Sequence, residues 1–245
     1  MKTTDNRRRP PKIRVAFAAS LLIVAGIRAA YTQTPNQAAA IHLIDAAVAE
    51  RVDKVLTFTD VEHYSVYRGN DETHAVAEMT VRDSYEKGVG KKYTVLSESG
   101  SGIILRFGLK PLIDNETAIN QPGKVAESWF TSANYVMELK PGGTQKLNGR
   151  DCYVLTIRPR RAAPNMVAGT LWADVKDGTL VQIDGVASKK PSVFAGATHM
   201  MRRYANIDGF AMAMHARAES NSMFFGRTVV VIDYSDYRLQ LRQSK

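Results

Sequence analysis

One cysteine and five histidines set the limits on nucleophilic and metal chemistry in this 245-residue chain. His42, His63, His74, His199 and His215 are scattered. No H-x-x-H, H-E-x-x-H or cysteine pair supplies ligands at the spacing of a zinc site. Cys152, Val154 and Thr156 alternate with Tyr153, Leu155 and Ile157, so the cysteine takes the place of a small buried strand residue, without the activated setting of a nucleophile. No G-x-S-x-G elbow occurs, and Gly100-Ser101-Gly102 lacks the Lys-Ser/Thr of a phosphate-cradling loop. Asp233, Asp236 and Glu138 would serve as acid and base only if the fold united them. These residue types therefore predict no catalytic centre, no metal site and no cofactor.

Binding chemistry has better candidates. Met137, Met200, Met201, Met212, Met214 and Met223 lie on or at the start of predicted strands, where β-branched residues are the usual choice. Flexible, polarizable methionine suits a surface that accepts variable shapes, and equally suits an ordinary core. Basic residues gather at predicted strand ends: Arg158, Arg160 and Arg161, then Lys189 and Lys190, then Arg202 and Arg203. They are read first as solvated ends, and secondarily as a mouth that engages phosphate, carboxylate or an acidic partner.

The elements that position these residues centre on the stretch from Asn148 to Gly185. Lys176-Asp177-Gly178-Thr179 predicts a two-residue type I′ hairpin, because Asp-Gly supplies the positive φ angles such a turn requires. That register places Trp172 opposite Ile183, with Val181 on the same face and Leu171, Val175 and Leu180 on the other. Neither face is polar, so both are expected to be covered. Upstream, Thr34-Pro35-Asn36-Gln37 reads as a helix start with Thr34 as cap, followed by an apolar stripe at Ile41, Ile44, Val48, Val52 and Val55. Asp45, at the stripe's edge, receives no role. Strands follow from Thr57 to Ser97, then helices in two pieces from Ile103 to Ser132, the first kinked or divided at Pro111 and separated from the second at Gln121-Pro122-Gly123, then strands to Leu241. A turn is expected at Pro141-Gly142-Gly143. Phe210, Met212 and Met214 share one strand face. The fold class is α+β, mainly β, with about ten strands and a long N-terminal amphipathic helix.

Residues 1–30 read as an export signal: a cationic head at Arg7, Arg8, Arg9, Lys12 and Arg14, then an uncharged stretch from Val15 to Ile27 too short to span a bilayer comfortably. An uncleaved inner-membrane anchor is the alternative. The segment carries seven of the Lys/Arg and one Asp, +6 of the formal +9, which leaves +3 and removes most of the case for nucleic acid. No cysteine follows the apolar stretch, so a lipid anchor is not expected; residues 34–245 are expected to form a single domain.

The phrases VAEMTV, KKYTVLSESGSG, LNGRDCYVLTIRP, GTLWADVKDGTLVQIDG and FFGRTVVVIDYSDYR, spread over most of residues 38–240, resemble the superfamily of outer-membrane lipoprotein-sorting proteins. This superfamily comprises the periplasmic Lol carrier, its receptor and, as a relative, the sigma-factor regulator RseB. The resemblance implies a curved antiparallel half-barrel whose concave side accepts acyl chains, with inserted helices as plug or lid. On that basis the expected trough residues are Trp172, Ile183, Phe210, Met212, Met214, Tyr153 and Leu155, and the expected plug residues are Ile104, Phe107, Trp129 and Phe130. The expected function is a soluble, monomeric periplasmic carrier of lipid or lipoprotein acyl chains that performs no covalent chemistry. An envelope membrane protein is a further expected partner. An RseB-like interaction or envelope-sensing module is the alternative. A hydrolase, which would need a polar cleft holding a carboxylate or cysteine of shifted pKa, comes third.

Overall fold

The computed structural model describes residues 36–163, 165–189, 196–222 and 226–243. The expected export segment, the Thr34-Pro35 helix start, Lys190 and Met223 lie outside these residues. Helix α1 (Gln37–Lys54) is capped by Asn36, whose Oδ1 accepts from the Ala38 amide at 2.9 Å. The helix buries Ala40 and Ile44 and stops at Val55, which already belongs to β1.

Ten strands follow: β1 (Val55–Arg68), β2 (Ala77–Glu86), β3 (Gly90–Gly100), β4 (Tyr135–Leu147), β5 (Arg150–Pro159), β6 (Val167–Asp174), β7 (Leu180–Ala187), β8 (Thr198–Ile207), β9 (Phe210–Ser222) and β10 (Gly226–Leu241). They form one antiparallel sheet in the order β3-β2-β1-β10-β9-β8-β7-β6-β5-β4. Every pair is a sequential hairpin except β1 with β10, which brings the two ends of the domain together. The two edge strands, β3 and β4, are neighbours in sequence, so the segment between them runs from one edge of the open sheet to the other. This is the mainly-β half-barrel expected from the sequence.

The linking segment consists of α2 (Gly102–Ile104), a π-helical turn (Leu105–Leu109), α3 (Lys110–Ile119) and a 3₁₀ turn (Val125–Ser128). Pro111 does not divide a helix here. It follows the π turn, in which the Lys110 amide bonds five residues back to the Leu105 carbonyl, and the helix continues through it to Ile119.

Each half of the concave face carries a helix. Ile41 and Ile44 of α1 pack on Leu155, Ile157, Leu171 and Ile183, while Leu109 and Ile113 pack on Tyr64, Val66, Met79 and Val81 of β1 and β2. Asp45, given no role from sequence, ties these pieces together: its carboxylate accepts from the Ser132 amide at 2.8 Å and the Ser132 hydroxyl at 2.5 Å.

Four features of register and turn correct the sequence reading. Leu171, and not Trp172, pairs with Ile183; Trp172 pairs with Gln182 and faces the other side of the sheet, where its Nε1 donates to Gln145. The Asp177-Gly178 loop is longer than two residues: Asp174 N donates to Thr179 O, Val175 N donates to Asp151 O, and of the pair only Gly178 has positive φ. A Cβ on Gly178 would stand 2.4 Å from the Leu43 carbonyl oxygen, so the loop is shaped by its seat on α1. The two-residue loop is instead Asn148-Gly149, at φ 50° and 79° between the paired Leu147 and Arg150. Pro141-Gly142-Gly143 is a bulge within β4 and not a turn, since Leu139 pairs with Leu155 and Thr144 with Tyr153. Met214 falls out of the Phe210–Met212 series because it is the unpaired residue of a bulge between Ala213 and His215.

Candidate functional site

Between α1 and the inserted helices the sheet leaves a cavity of about 370 Å³, within the range of small-molecule sites. Ile183, Met200, Phe210, Met212, Val230 and Ile232 form its apolar sheet wall, and Leu112, Trp129 and Phe130 close it from the inserted segment. Phe130 is braced by stacking on Tyr135 at 5.1 Å.

Of the expected trough residues, Ile183, Phe210 and Met212 line this cavity. Leu155 is wholly buried in the core beneath α1, Tyr153 packs against that core, and Trp172 and Met214 are set aside by the register features above. Of the expected plug residues, Trp129 and Phe130 line the cavity and Ile104 packs on the Tyr64 cluster. Phe107 points outward at 71% exposure, with Arg106 over its ring. The inward face of this segment runs through Ile104 and Leu105, half-buried, to Leu109 and Ile113, buried, and Phe107 lies outside it.

Polar residues also reach this cavity: Glu62, Tyr64 and Lys91 line it, and Asp60 and Asp83 are buried next to Glu62. Asp60, Glu62 and Tyr64 continue the parity of Phe58 on β1, and Asp83 stands directly opposite Asp60 on β2. Oxygens of Asp60, Glu62 and Asp83 all lie within 4.8 Å of one another. Lys91 from β3 enters this group, with Nζ 2.7 Å from Asp83 and 3.5 Å from Glu62, and donates to the Tyr93 hydroxyl at 3.2 Å. The Tyr64 hydroxyl donates to Glu62.

Burial dominates the titration of this group. It raises Asp60 to about 8, opposed by Lys91 and reinforced by the charges of Glu62 and Asp83. It raises Asp83 and Glu62 as well, against the pull of Lys91. Burial works against the ammonium of Lys91, but Tyr93, Glu62, Asp83 and Glu116 outweigh it and hold its pKa well above the usual value. The arrangement is a buried ammonium among carboxyls whose pKa values burial raises, with crowding of like charges adding to the effect at Asp60 and Glu62.

A second polar group faces the cavity from α1 and β8: Arg51, Arg202 and Tyr204. Burial lowers the pKa of Arg51, and nearby Arg202 adds to the effect. The Tyr204 hydroxyl lies against Arg202. Arg202 therefore does not form a solvated strand end as the sequence implied, whereas its neighbour Arg203 is exposed.

The acid-base candidates named from sequence are not assembled. Asp233 pairs with His215 at 2.7 Å, Glu138 pairs with Arg158, and neither carboxylate lines the cavity. Cys152 is fully buried, and burial pushes its thiol pKa up. Sequence reasoning missed Arg51, Asp60, Glu62, Asp83, Lys91 and Tyr204. A signal for two of them was present: Asp60 and Glu62 interrupt with charge the inward parity of Phe58, Tyr64 and Val66.

No protein-family model matches the chain, and no curated protein matches it. Solved structures do. A DUF1329 family protein from Desulfovibrio piger is 18% identical, with 86% of this chain and 96% of that one covered at a TM-score of 0.43. A protein described as an outer membrane lipoprotein-sorting domain, from Vibrio parahaemolyticus, is 12% identical over 84% and 94% at 0.47. A LolA superfamily protein from Nitrosomonas europaea is 13% identical over 84% and 94% at 0.42. These are likenesses of fold, and they assign no residue and no ligand to this chain. Among the described residues, no helix is long and apolar enough to cross a membrane.

Proposed function

We propose that the protein is a periplasmic carrier, exported and not lipid-anchored, that holds the acyl chain of a lipid or lipoprotein in the half-barrel without covalent chemistry. The observation that carries this reading is the hollow between the sheet and the inserted segment, walled by Ile183, Phe210, Met212, Val230 and Ile232. Each methylene buried there gains about 0.8 kcal/mol, so the cavity competes with a membrane for a chain. Trp129 and Phe130 already occupy part of the same surface and provide the opposing force that release needs.

Delipidated protein titrated with a fluorescent acyl probe is expected to bind saturably. Phe210→Asp should weaken binding at least tenfold, whereas Trp172→Asp, on the other face of the sheet, should leave it unchanged. Wild-type protein that never saturates would end the carrier reading. Mass spectrometry of organic extracts from natively purified protein then identifies the chain.

An interaction module of the RseB type, contacting an envelope membrane protein, is favoured by one observation: Ile103 and Phe107, one turn apart, are 69% and 71% exposed. Phe107→Ser would abolish such an interaction and leave probe binding intact. A hydrolase would draw on the raised pKa of Glu62. That carboxyl is, however, engaged by Tyr64 and Lys91, and among the described residues no histidine or cysteine lines the cavity.

A further inference from the structure

We infer that the cavity selects an amphiphile with an acidic head group, a carboxylate or a phosphate, held between Arg51 and Arg202 with its chain along the apolar wall. This rests on the carrier reading and narrows its ligand to a chemical class. Both guanidiniums line the cavity, one from α1 and one from β8. They are close enough for the charge of Arg202 to disfavour that of Arg51.

Among the described residues, neither arginine has a carboxylate at ion-pair distance, and the buried Nε of Arg51 has no hydrogen-bond partner. Other cationic groups of the same cavity are neutralised: Arg217 sits 2.6 Å from Glu72 and 2.8 Å from Glu219, and Lys91 sits 2.7 Å from Asp83. Burial and the neighbouring charge of Arg202 both disfavour the guanidinium of Arg51, whereas Arg202 keeps its charge, so an anion between the two relieves the cost at Arg51. Planar N–H forks match the paired oxygens of carboxylate and phosphate, and the Tyr204 hydroxyl adds a donor beside Arg202.

The rest of the lining gives the ligand a direction. Glu62 on β1 and Glu116 on α3 face the cavity and disfavour an acidic head near them; Glu116 acts on Arg202 only from beyond contact distance. Ile183, Met200, Phe210, Met212, Val230 and Ile232 supply the apolar path for the chain.

The test compares three probes that share one fluorophore and one chain length: a fatty acid, its methyl ester and the corresponding alkyl phosphate. Wild-type protein is expected to bind the acid or the phosphate at least tenfold more tightly than the ester. Arg51→Gln and Arg202→Gln should each bring the acidic probe down towards the ester, with ester affinity unmoved, and Arg202→Lys should retain part of the preference. Equal binding of acid, phosphate and ester by the wild type overturns the inference and leaves the carrier reading standing; this comparison needs no variant to fold. Binding of none of the three defeats the carrier reading, and the inference falls with it. Inorganic phosphate or acetate binding as tightly as the chain-bearing probes would identify a free-anion site and overturn the amphiphile.

Discussion

Replacing Asp60 with asparagine should flatten the pH dependence of stability. Asp60 and Asp83 oppose each other on adjacent strands at 2% and 0% exposure, a placement that destabilises two like charges. Burial, with Glu62 and Asp83 adding to it and Lys91 opposing, raises the Asp60 carboxyl from 3.8 to about 8. In the unfolded chain the same carboxyl titrates near 3.9. Between these values the folded protein holds a proton that the unfolded chain has released. Stability therefore falls as pH rises, by up to about 1.4 kcal/mol per pH unit for this group. The contribution is complete below the unfolded pKa and is lost once pH passes about 8. Across the whole window the ceiling is about 6 kcal/mol, which titration shared with Asp83 reduces to roughly half.

Asparagine keeps the shape of the protonated acid and cannot ionise. Urea unfolding at pH 5, 6.5 and 8 should show the variant gaining steadily on the wild type, by roughly 3 kcal/mol at the upper end. A difference that does not change with pH, or one that moves the opposite way, would mean that Asp60 is ionised in the fold. Glu72, which Arg217 and Arg227 hold down to about 2, has the opposite sign: its contribution is present above its unfolded pKa and lost as pH falls. It acts on both proteins alike and confines the assay to the range above about pH 5.

Lys91→Met removes the only ammonium touching Asp83 and Glu62 among the described residues, and should cost about 3–5 kcal/mol at neutral pH, with a smaller loss at about pH 5, where more of the carboxyl charge is neutralised. Urea midpoints at the two pH values read both effects. Gly178→Ala places a methyl group 2.4 Å from the Leu43 carbonyl oxygen at a φ of +73°; a loss of about 2 kcal/mol or more, read as a melting temperature lower by about 4–8 °C, is expected. Asp45→Ala deletes both bonds to Ser132 and should cost about 1–3 kcal/mol, with faster amide exchange confined to the segment around Thr131–Asn134.

What was legible in the chain was local. Helix type follows from the spacing of Ile41 and Ile44, strand type from period-two runs such as Cys152 to Ile157, and turn chemistry from residues that tolerate positive φ. The Asn148-Gly149 loop obeys that turn rule, whereas Asp177-Gly178 does not, because Gly178 answers to the backbone of α1 and not to its own strands. Trp172 was misplaced because a bulge beside it shifts the strand register, and a one-residue shift moves side chains to the opposite face.

The kinds of element and their order, one helix, an interrupted sheet and a helical insertion, follow from residues a few positions apart. The make-up of the interior depends on contacts between strands far apart in the chain. The fold brings Arg51 of α1 and Arg202 of β8 to the same hollow and gathers Asp60, Glu62, Asp83 and Lys91 into one buried group, of which Glu62 and Lys91 line that hollow. A charge on an inward-facing position is read as an interruption in one strand, and it becomes a site only when strands distant in sequence bring its counterpart across the cavity.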